Sequence, residues 1–376
     1  MVWDVSGTRT HICSDPYCAD RVHGARVDAG RRRLLTALAA AGASTLLPAG
    51  ALFAQAPAVQ RKLIDVHHHY YPPELKTVWQ DYLTAHNQGR QLPPVEQWTP
   101  ARTLEEMDKN GVSTAILSLA SVPGVWFGKD AAGMRQLSRM CNEYAAGMMR
   151  DHPGRFGLWA SLPMPDIDGS LKEIAYAFDT LKADGINLST SFGDKWPGDP
   201  MFKPVFEELN RRKAIVYFHP YAPNCCGSLM SYVPEFLIEY PYDTGRTVLS
   251  LLMSGTLTRL HDIRWMVSHA GGPVPMLAGR INDLTKFSKN RAEFAPNGVD
   301  AELQRLYYET ANSAYKPTMA ALLSYVPLSQ VLFGTDFPYL SVGQNAEGLD
   351  KIGLSADQLA AIQRGNAMAL VPRLKA

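Results

Sequence analysis

Cysteine is scarce in this chain and charge of either sign is not in excess. Five cysteines, Cys13, Cys18, Cys141, Cys225 and Cys226, are too few and too irregular for a disulfide scaffold, and none has zinc-site spacing; they read as ordinary thiols. A bridge between the adjacent Cys225 and Cys226 would need strained geometry, so no role is assigned to them. The formal charge of +1, with no basic run interleaved with aromatics outside the N-terminus, excludes nucleic acid as an expected partner. Gly-rich dinucleotide fingerprints, internal repeats and low-complexity linkers are also missing. What is present is ordinary composition and 376 residues, enough to bury a large core.

The first 56 residues read as an address. From Arg31 the sequence runs RRRLLTALAAAGASTLLPAGALFAQA: a basic start, a small-residue apolar stretch and an Ala54-Gln55-Ala56 cleavage signal. The consecutive arginines before a mildly hydrophobic run indicate a twin-arginine-type signal, hence an exported, periplasmic or secreted protein. Gly42, Ser44 and Pro48 interrupt the apolar run, which argues against a permanent anchor, so no stable membrane insertion is expected after cleavage. Residues 1–30 are polar and unpatterned: an extended leader, or the product of a start site placed too far upstream. The mature chain begins near Pro57 and forms one domain, 57–376.

Beyond Pro57, β-branched or aromatic runs alternate with helical periodicity, the pattern of a parallel sheet covered by helices. Strands are predicted at Lys62–His67, Ser113–Leu119, Arg155–Leu162, Gly185–Thr190, Ala214–His219, Arg264–His269, Arg305–Thr310 and Gln330–Asp336. Eight such units fit an α/β fold closed as a (β/α)8 TIM barrel. An open doubly wound sheet is the alternative, but no fingerprint follows any of its strands. Helices are predicted at Thr103–Asn110, Met134–Asp151 and Ser170–Ala183, and the segment Pro220–Tyr242, rich in Pro and Tyr, as a loop or lid over the barrel mouth.

Four histidines, His67, His69, His219 and His269, lie at or near the C-terminal ends of predicted strands, and Asp336 ends the eighth. In a barrel those ends open on one face, so residues far apart in sequence converge there. Alternation on the first strand lets His67 and His69 reach one ion while His68 faces away. Neutral imidazoles and one carboxylate suit zinc or another first-row divalent ion, with a position left for water or substrate. Separately each residue has a structural explanation, such as a satisfied core histidine or a helix cap. Jointly, at the ends of strands one, five, six and eight, they point to chemistry.

The runs Ile64-Asp65-x-His67-x-His69-x-x-Pro72, Glu106-Met107-Asp108-x-x-Gly111-Val112, His219-Pro220, His269-Ala270-Gly271-Gly272, Gly279-Arg280 and Gly334-Thr335-Asp336-Phe337-Pro338 resemble the amidohydrolase superfamily. Within it they are most similar to the branch typified by aminocarboxymuconate-semialdehyde decarboxylase. The resemblance runs from about Lys62 to Gly365-Asn366-Ala367. It implies that His67, His69, His219 and Asp336 bind one divalent ion, zinc first and manganese second, and that His269 contacts metal-bound water or substrate. It also implies that Arg280 binds substrate carboxylate from a neighbouring subunit, hence a homodimer. The other carboxylate-binding arginine of the family has no counterpart in register, since this chain offers only Arg90 and Arg102. Binuclear members carry a bridging lysine on strand four; Gly185-Ile186-Asn187-Leu188-Ser189-Thr190 has none, which favours one metal.

The implied activity is metal-dependent decarboxylation of a small aromatic or unsaturated carboxylic acid, such as a salicylate-type compound. His269 or Asp336 would move the proton, and Tyr71, Trp126, Phe127 and Tyr221 would wall the substrate, with Tyr221 as a binding residue. The same ligands could instead serve a hydrolase of lactones or amides, or a hydratase of unsaturated acids. A non-catalytic exported metal-binding protein is the reading from a different class.

Overall fold

The computed structural model describes residues 62–86, 89–120, 127–226 and 232–375. The signal segment and Trp126 lie outside them. Eight parallel strands follow one another in sequence order: β1 Leu63–His69, β2 Val112–Ser118, β3 Phe156–Ser161, β4 Gly185–Ser189, β5 Ile215–His219, β6 Arg264–Val267, β7 Tyr307–Glu309 and β8 Val331–Leu332. The segment after β8 returns to β1, where Val66 N–H donates to Phe333 O (3.0 Å) and His69 N–H to Phe337 O (2.8 Å). The expected (β/α)8 architecture is therefore the observed one. Among the described residues no helix is long and apolar enough to cross a membrane.

The longer helices are α1 Pro73–Ala85, α2 Pro100–Asn110, α3 Ala131–Asp151, α4 Ile167–Asp179, α5 Lys203–Arg211, α6 Glu235–Met253, α7 Val274–Leu284, α8 Lys316–Tyr325 and α9 Val342–Asp350. Their ends follow local chemistry. Thr99 caps α2 by accepting from Arg102 N–H, Pro100 opens the helix, and Gly111 closes it at φ 72°. Asp130 and Asp166 cap α3 and α4, so both start three residues earlier than periodicity predicts. Helix α4 also stops at Asp179, short of Ala183, because the chain turns through Lys182 at φ 59°. The expected loop Pro220–Tyr242 is helical from Glu235 onward, with Pro241 inside α6.

Two apolar assemblies hold the barrel. One lies between strands and helices and contains Leu117, Leu158, Leu188, Phe218 and Trp265. The other contains Ile64, Val66, Ile116, Trp159, Ile215, Tyr217, Met266 and Leu332, together with Leu370, Val371 and Leu374 near the C-terminus. Burying each large apolar side chain contributes roughly 1.5–3 kcal/mol. Trp159 adds a donor, its indole N–H reaching Val66 O at 2.8 Å.

A register shift falls in β1 between Asp65 and His68. Ile64 and Val66 share the second assembly, and strict alternation from Val66 would have carried His68 to the mouth. The irregularity resets the pattern, so His67 and His69 arrive there instead.

One cysteine expectation is corrected. Cys225 and Cys226 are disulfide-paired rather than free, in a tight turn where Cys226 N–H donates to Pro223 O at 3.0 Å. Cys141 is a buried free thiol.

Candidate metal centre

Strands β1 and β5 and the segment after β8 bring His67, His69, His219 and Asp336 together. One ligand atom from each lies within 4.8 Å of the other three, and all four residues are buried. The His67 and His69 Nε2 atoms are 3.0 Å apart, and Asp336 Oδ1 is 2.9 Å from the latter and 3.3 Å from the former. Bonds of about 2.0–2.1 Å to one central ion place neighbouring ligand atoms roughly 2.9–3.4 Å apart, so these separations are edges of a coordination polyhedron. Buried His219 has an Nδ1 with no hydrogen-bond partner among the described residues. The donor set fits a divalent ion.

The imidazoles are turned by what holds their outer nitrogens. His67 Nδ1 donates to Glu309 Oε1 at 2.9 Å and His69 Nδ1 to Ser118 O at 3.2 Å, which leaves both Nε2 atoms facing inward. Asp336 presents Oδ1 to the imidazoles while its Oδ2 accepts from Asn312 Nδ2 at 2.7 Å. Asp336 and Asn312 both hold φ in the left-handed region, 65° and 54°. Asp65 joins β1 to the last segment: Oδ1 accepts from the N–H groups of His67 and Thr335, and Oδ2 from the Thr335 hydroxyl and His68 Nδ1. His68 thus faces Asp65 and stacks on Phe337, 4.7 Å between ring centroids, away from the cluster.

Electrostatics assigns the metal-free cluster one extra proton. Burial lowers the His67 pKa, but the charges of Glu309 and Asp336 outweigh it and raise the ring to about 10. Burial holds His219 well below its ordinary value, reinforced by His69 and His67, and also lowers His69 against the pull of Asp336. Burial would raise Asp336, yet the adjacent His67 and His69 hold it well below the usual carboxylate range. The directions on His67 and His69 oppose each other because two facing imidazoles share one cationic site. A proton on His67 occupies the electrostatic role that a cation fills.

His269 lies two residues beyond β6, half-buried, with its ring centroid 5.1 Å from that of His67 and 6.2 Å from that of His219. Its Nδ1 donates to Ala311 O at 2.9 Å, so Nε2 is the ring nitrogen not engaged by that bond. The strand ends at Val267 because His269, Ala270, Gly271 and Gly272 all take positive φ. Gly272 is required there: a Cβ would lie 2.1 Å from Pro241 O of α6.

The other expected residues divide. Tyr221 follows β5, half-buried, its N–H donating to Thr190 Oγ1 and its hydroxyl pushed up to about 12 by burial. Tyr71 and Phe127 are buried; the Tyr71 hydroxyl donates to Tyr339 at 2.7 Å. Arg280 is exposed on α7, outside the cluster. Arg90 pairs with Glu96 and Arg102 bonds Gln97, and both arginines are exposed.

Sequence reasoning missed Glu309, Asn312 and Tyr339. Glu309 ends β7 and is fully buried, a carboxylate at the C-terminal end of a barrel strand, which is itself a usable signal. Tyr339 stands three residues after Asp336, its ring 5.8 Å from that of His69. Asn312 had no signal beyond tolerance of positive φ.

A parallel barrel with three imidazoles and a carboxylate converging at its C-terminal mouth defines the class of metal-dependent α/β-barrel enzymes. The chain belongs to the amidohydrolase family, whose pattern matches residues 64–373. It is 35% identical to Decarboxylase yanB of Aspergillus niger, over 83% of this chain and 88% of that protein. It is 32% identical to 6-methylsalicylic acid decarboxylase of Penicillium expansum, over 83% of this chain and 97% of that protein. The crystal structure of 5-carboxyvanillate decarboxylase from Novosphingobium aromaticivorans, complexed with manganese and 4-hydroxy-3-methoxy-5-nitrobenzoic acid, superposes with a TM-score of 0.75 at 20% identity, covering 84% of this chain and 97% of that one.

Proposed function

We propose that this protein is a metal-dependent carboxy-lyase that decarboxylates a small aromatic carboxylic acid of the salicylate type. The observation that carries this reading is the buried His67, His69, His219 and Asp336 cluster with His269 beside it, in a chain about one third identical to two proteins named as decarboxylases. In the reaction the bond from ring carbon to carboxylate breaks, carbon dioxide leaves, and the ring carbon takes up a proton. A divalent ion in the cluster would supply positive charge for the carboxylate or a neighbouring oxygen as electrons collect on the ring. His269 offers Nε2 for the proton because Nδ1 is committed to Ala311 O. Asp336 is the alternative proton carrier, with Asn312 holding its second oxygen. Tyr339 and Tyr71 place aromatic surface beside His69.

The imidazole-rich set supports zinc, and the manganese of the carboxyvanillate decarboxylase makes manganese the alternative. A homodimer is part of the same proposal. Met276, Leu277 and Leu284 are exposed, and helical geometry places them with Arg280 within roughly a 100° sector of α7; Phe287, just beyond the helix, is exposed as well. Such a stripe suits a second copy, with Arg280 as the residue lent to the neighbour. Export through the signal in residues 1–56 is proposed on its sequence alone; N-terminal sequencing of secreted protein starting near Pro57 is the expected result.

The test is a substrate panel on protein reconstituted with zinc or manganese. Carbon dioxide release from salicylate-type acids is expected. Efficient lactone opening without such release would replace the decarboxylase by a hydrolase, and a loaded protein inert to the whole panel would leave a binding protein.

A further inference from the structure

Glu309 belongs to no ligand set in the proposed function, yet it has three partners at the site, one of them the ligand His67. Its Oε1 accepts from His67 Nδ1 at 2.9 Å and from the His269 backbone N–H at 2.7 Å, and its Oε2 accepts from Ala311 N–H at 2.6 Å. The residue is fully buried, so these contacts are what make a carboxylate tolerable there. Room is reserved for it. A Cβ on Gly334 would lie 2.1 Å from Glu309 Oε2, so glycine at that position leaves space for the carboxylate.

We propose that Glu309 is a positioning residue that sets two parts of the machinery with one carboxylate: the tautomer of the ligand His67 and the backbone placement of the proton-transfer residue His269. By accepting from His67 Nδ1–H it directs Nε2 toward the ion. The same oxygen anchors the His269 N–H, and His269 holds φ 52°, a conformation costly for a non-glycine residue. Ala311 completes the frame, donating to Glu309 and accepting from His269 Nδ1. Glu309 therefore links metal hold to proton-transfer geometry across β6, β7 and β1.

His67, His269 and Glu309 also lie close enough to suggest a second ion. That arrangement is already closed by hydrogen bonds. Both Glu309 oxygens accept backbone N–H groups, and His67 Nδ1 is bonded to the carboxylate.

The proposal rests on the single-ion site and is tested with metal-stripped protein, measuring zinc and manganese affinity by chelator competition alongside the metal-free melting temperature and 15N-histidine spectra. Glu309→Gln keeps the shape but faces an amide N–H₂ toward one of the N–H donors. Its metal affinity is expected to fall about 10–100-fold, with turnover at saturating metal reduced as well because His269 shifts. Affinity within about twofold of wild type in a folded variant would overturn the role of Glu309 alone. Wild-type protein that takes up no metal would overturn both this role and the site. If Glu309→Gln does not fold, the wild-type spectrum decides. His67, assigned by its absence in His67→Ala, should bind through Nε2 with a slowly exchanging Nδ1 proton, and coordination through Nδ1 would refute the proposal.

Discussion

Strands β1 and β7 end at the same cluster, and they serve it in opposite ways. β1 delivers His67 and His69 directly, while β7 delivers no ligand but holds His67, the His269 backbone and, three residues on, Asp336 through Asn312. The first announces itself as an Asp-x-His-x-His run; the second reads Tyr-Tyr-Glu-Thr-Ala-Asn and looks structural. The contrast teaches that the groups which grip an ion and those which aim the grip can sit on different strands. The grip leaves a spaced motif in the sequence, whereas the aiming side leaves only a carboxylate at a strand end.

The strongest way to test that division is to remove the grip. His67→Ala and Asp336→Ala are each expected to lose stoichiometric metal by elemental analysis, with kcat/KM falling on the order of a thousandfold or more. Retention of a full ion by both would erase the distinction between the strands. His269→Ala should keep its metal while turnover drops about 10²–10⁴-fold, the size of a lost general acid or base; unchanged rates would remove His269 from the chemistry.

Acidity probes the same cluster. His67 in the metal-free fold keeps its proton up to about 10, so metal uptake between about pH 6.5 and 9 must displace it. Apparent affinity should rise about tenfold per pH unit over that window, as read by competition titration, and a flat profile would contradict the shared-proton picture. The sign for stability is opposite. With its pKa raised on folding, His67 stabilises the metal-free fold fully below about pH 6.5, and that contribution is lost as pH climbs toward 10.

Smaller effects sharpen the β7 side. Asn312→Ala removes the donor to Asp336 Oδ2 and should weaken metal binding roughly tenfold. The smallest change in affinity is expected for His68→Ala, neighbour to two ligands but turned toward Asp65 and Phe337. It should cost about 1–3 kcal/mol of folding stability, measured by denaturant unfolding, while metal affinity stays within about twofold. A lost ion in that variant would place His68 in the site.

Much of this was legible before folding. The alternation of apolar runs and helical periods identified eight strand–helix units, because burial on both faces of a parallel sheet leaves that pattern in the composition of each segment. The histidines and Asp336 stood out because chemistry at a barrel mouth draws on strand ends. Boundaries were less legible where capping or positive φ decided them, as at Asp130, Asp166 and Lys182. The long loop expected through Tyr242 proved helical from Glu235, since tertiary packing tolerates Pro241 inside α6.

The sequence by itself determined the barrel and the identity of the groups able to hold an ion, since residue type and strand position are local properties. Only the tertiary structure decided which nitrogen of each imidazole faces inward and that Glu309 stands behind both His67 and His269. Those outcomes depend on strand register and on hydrogen bonds between residues 242 positions apart, as between His67 and Glu309, and no local pattern encodes them.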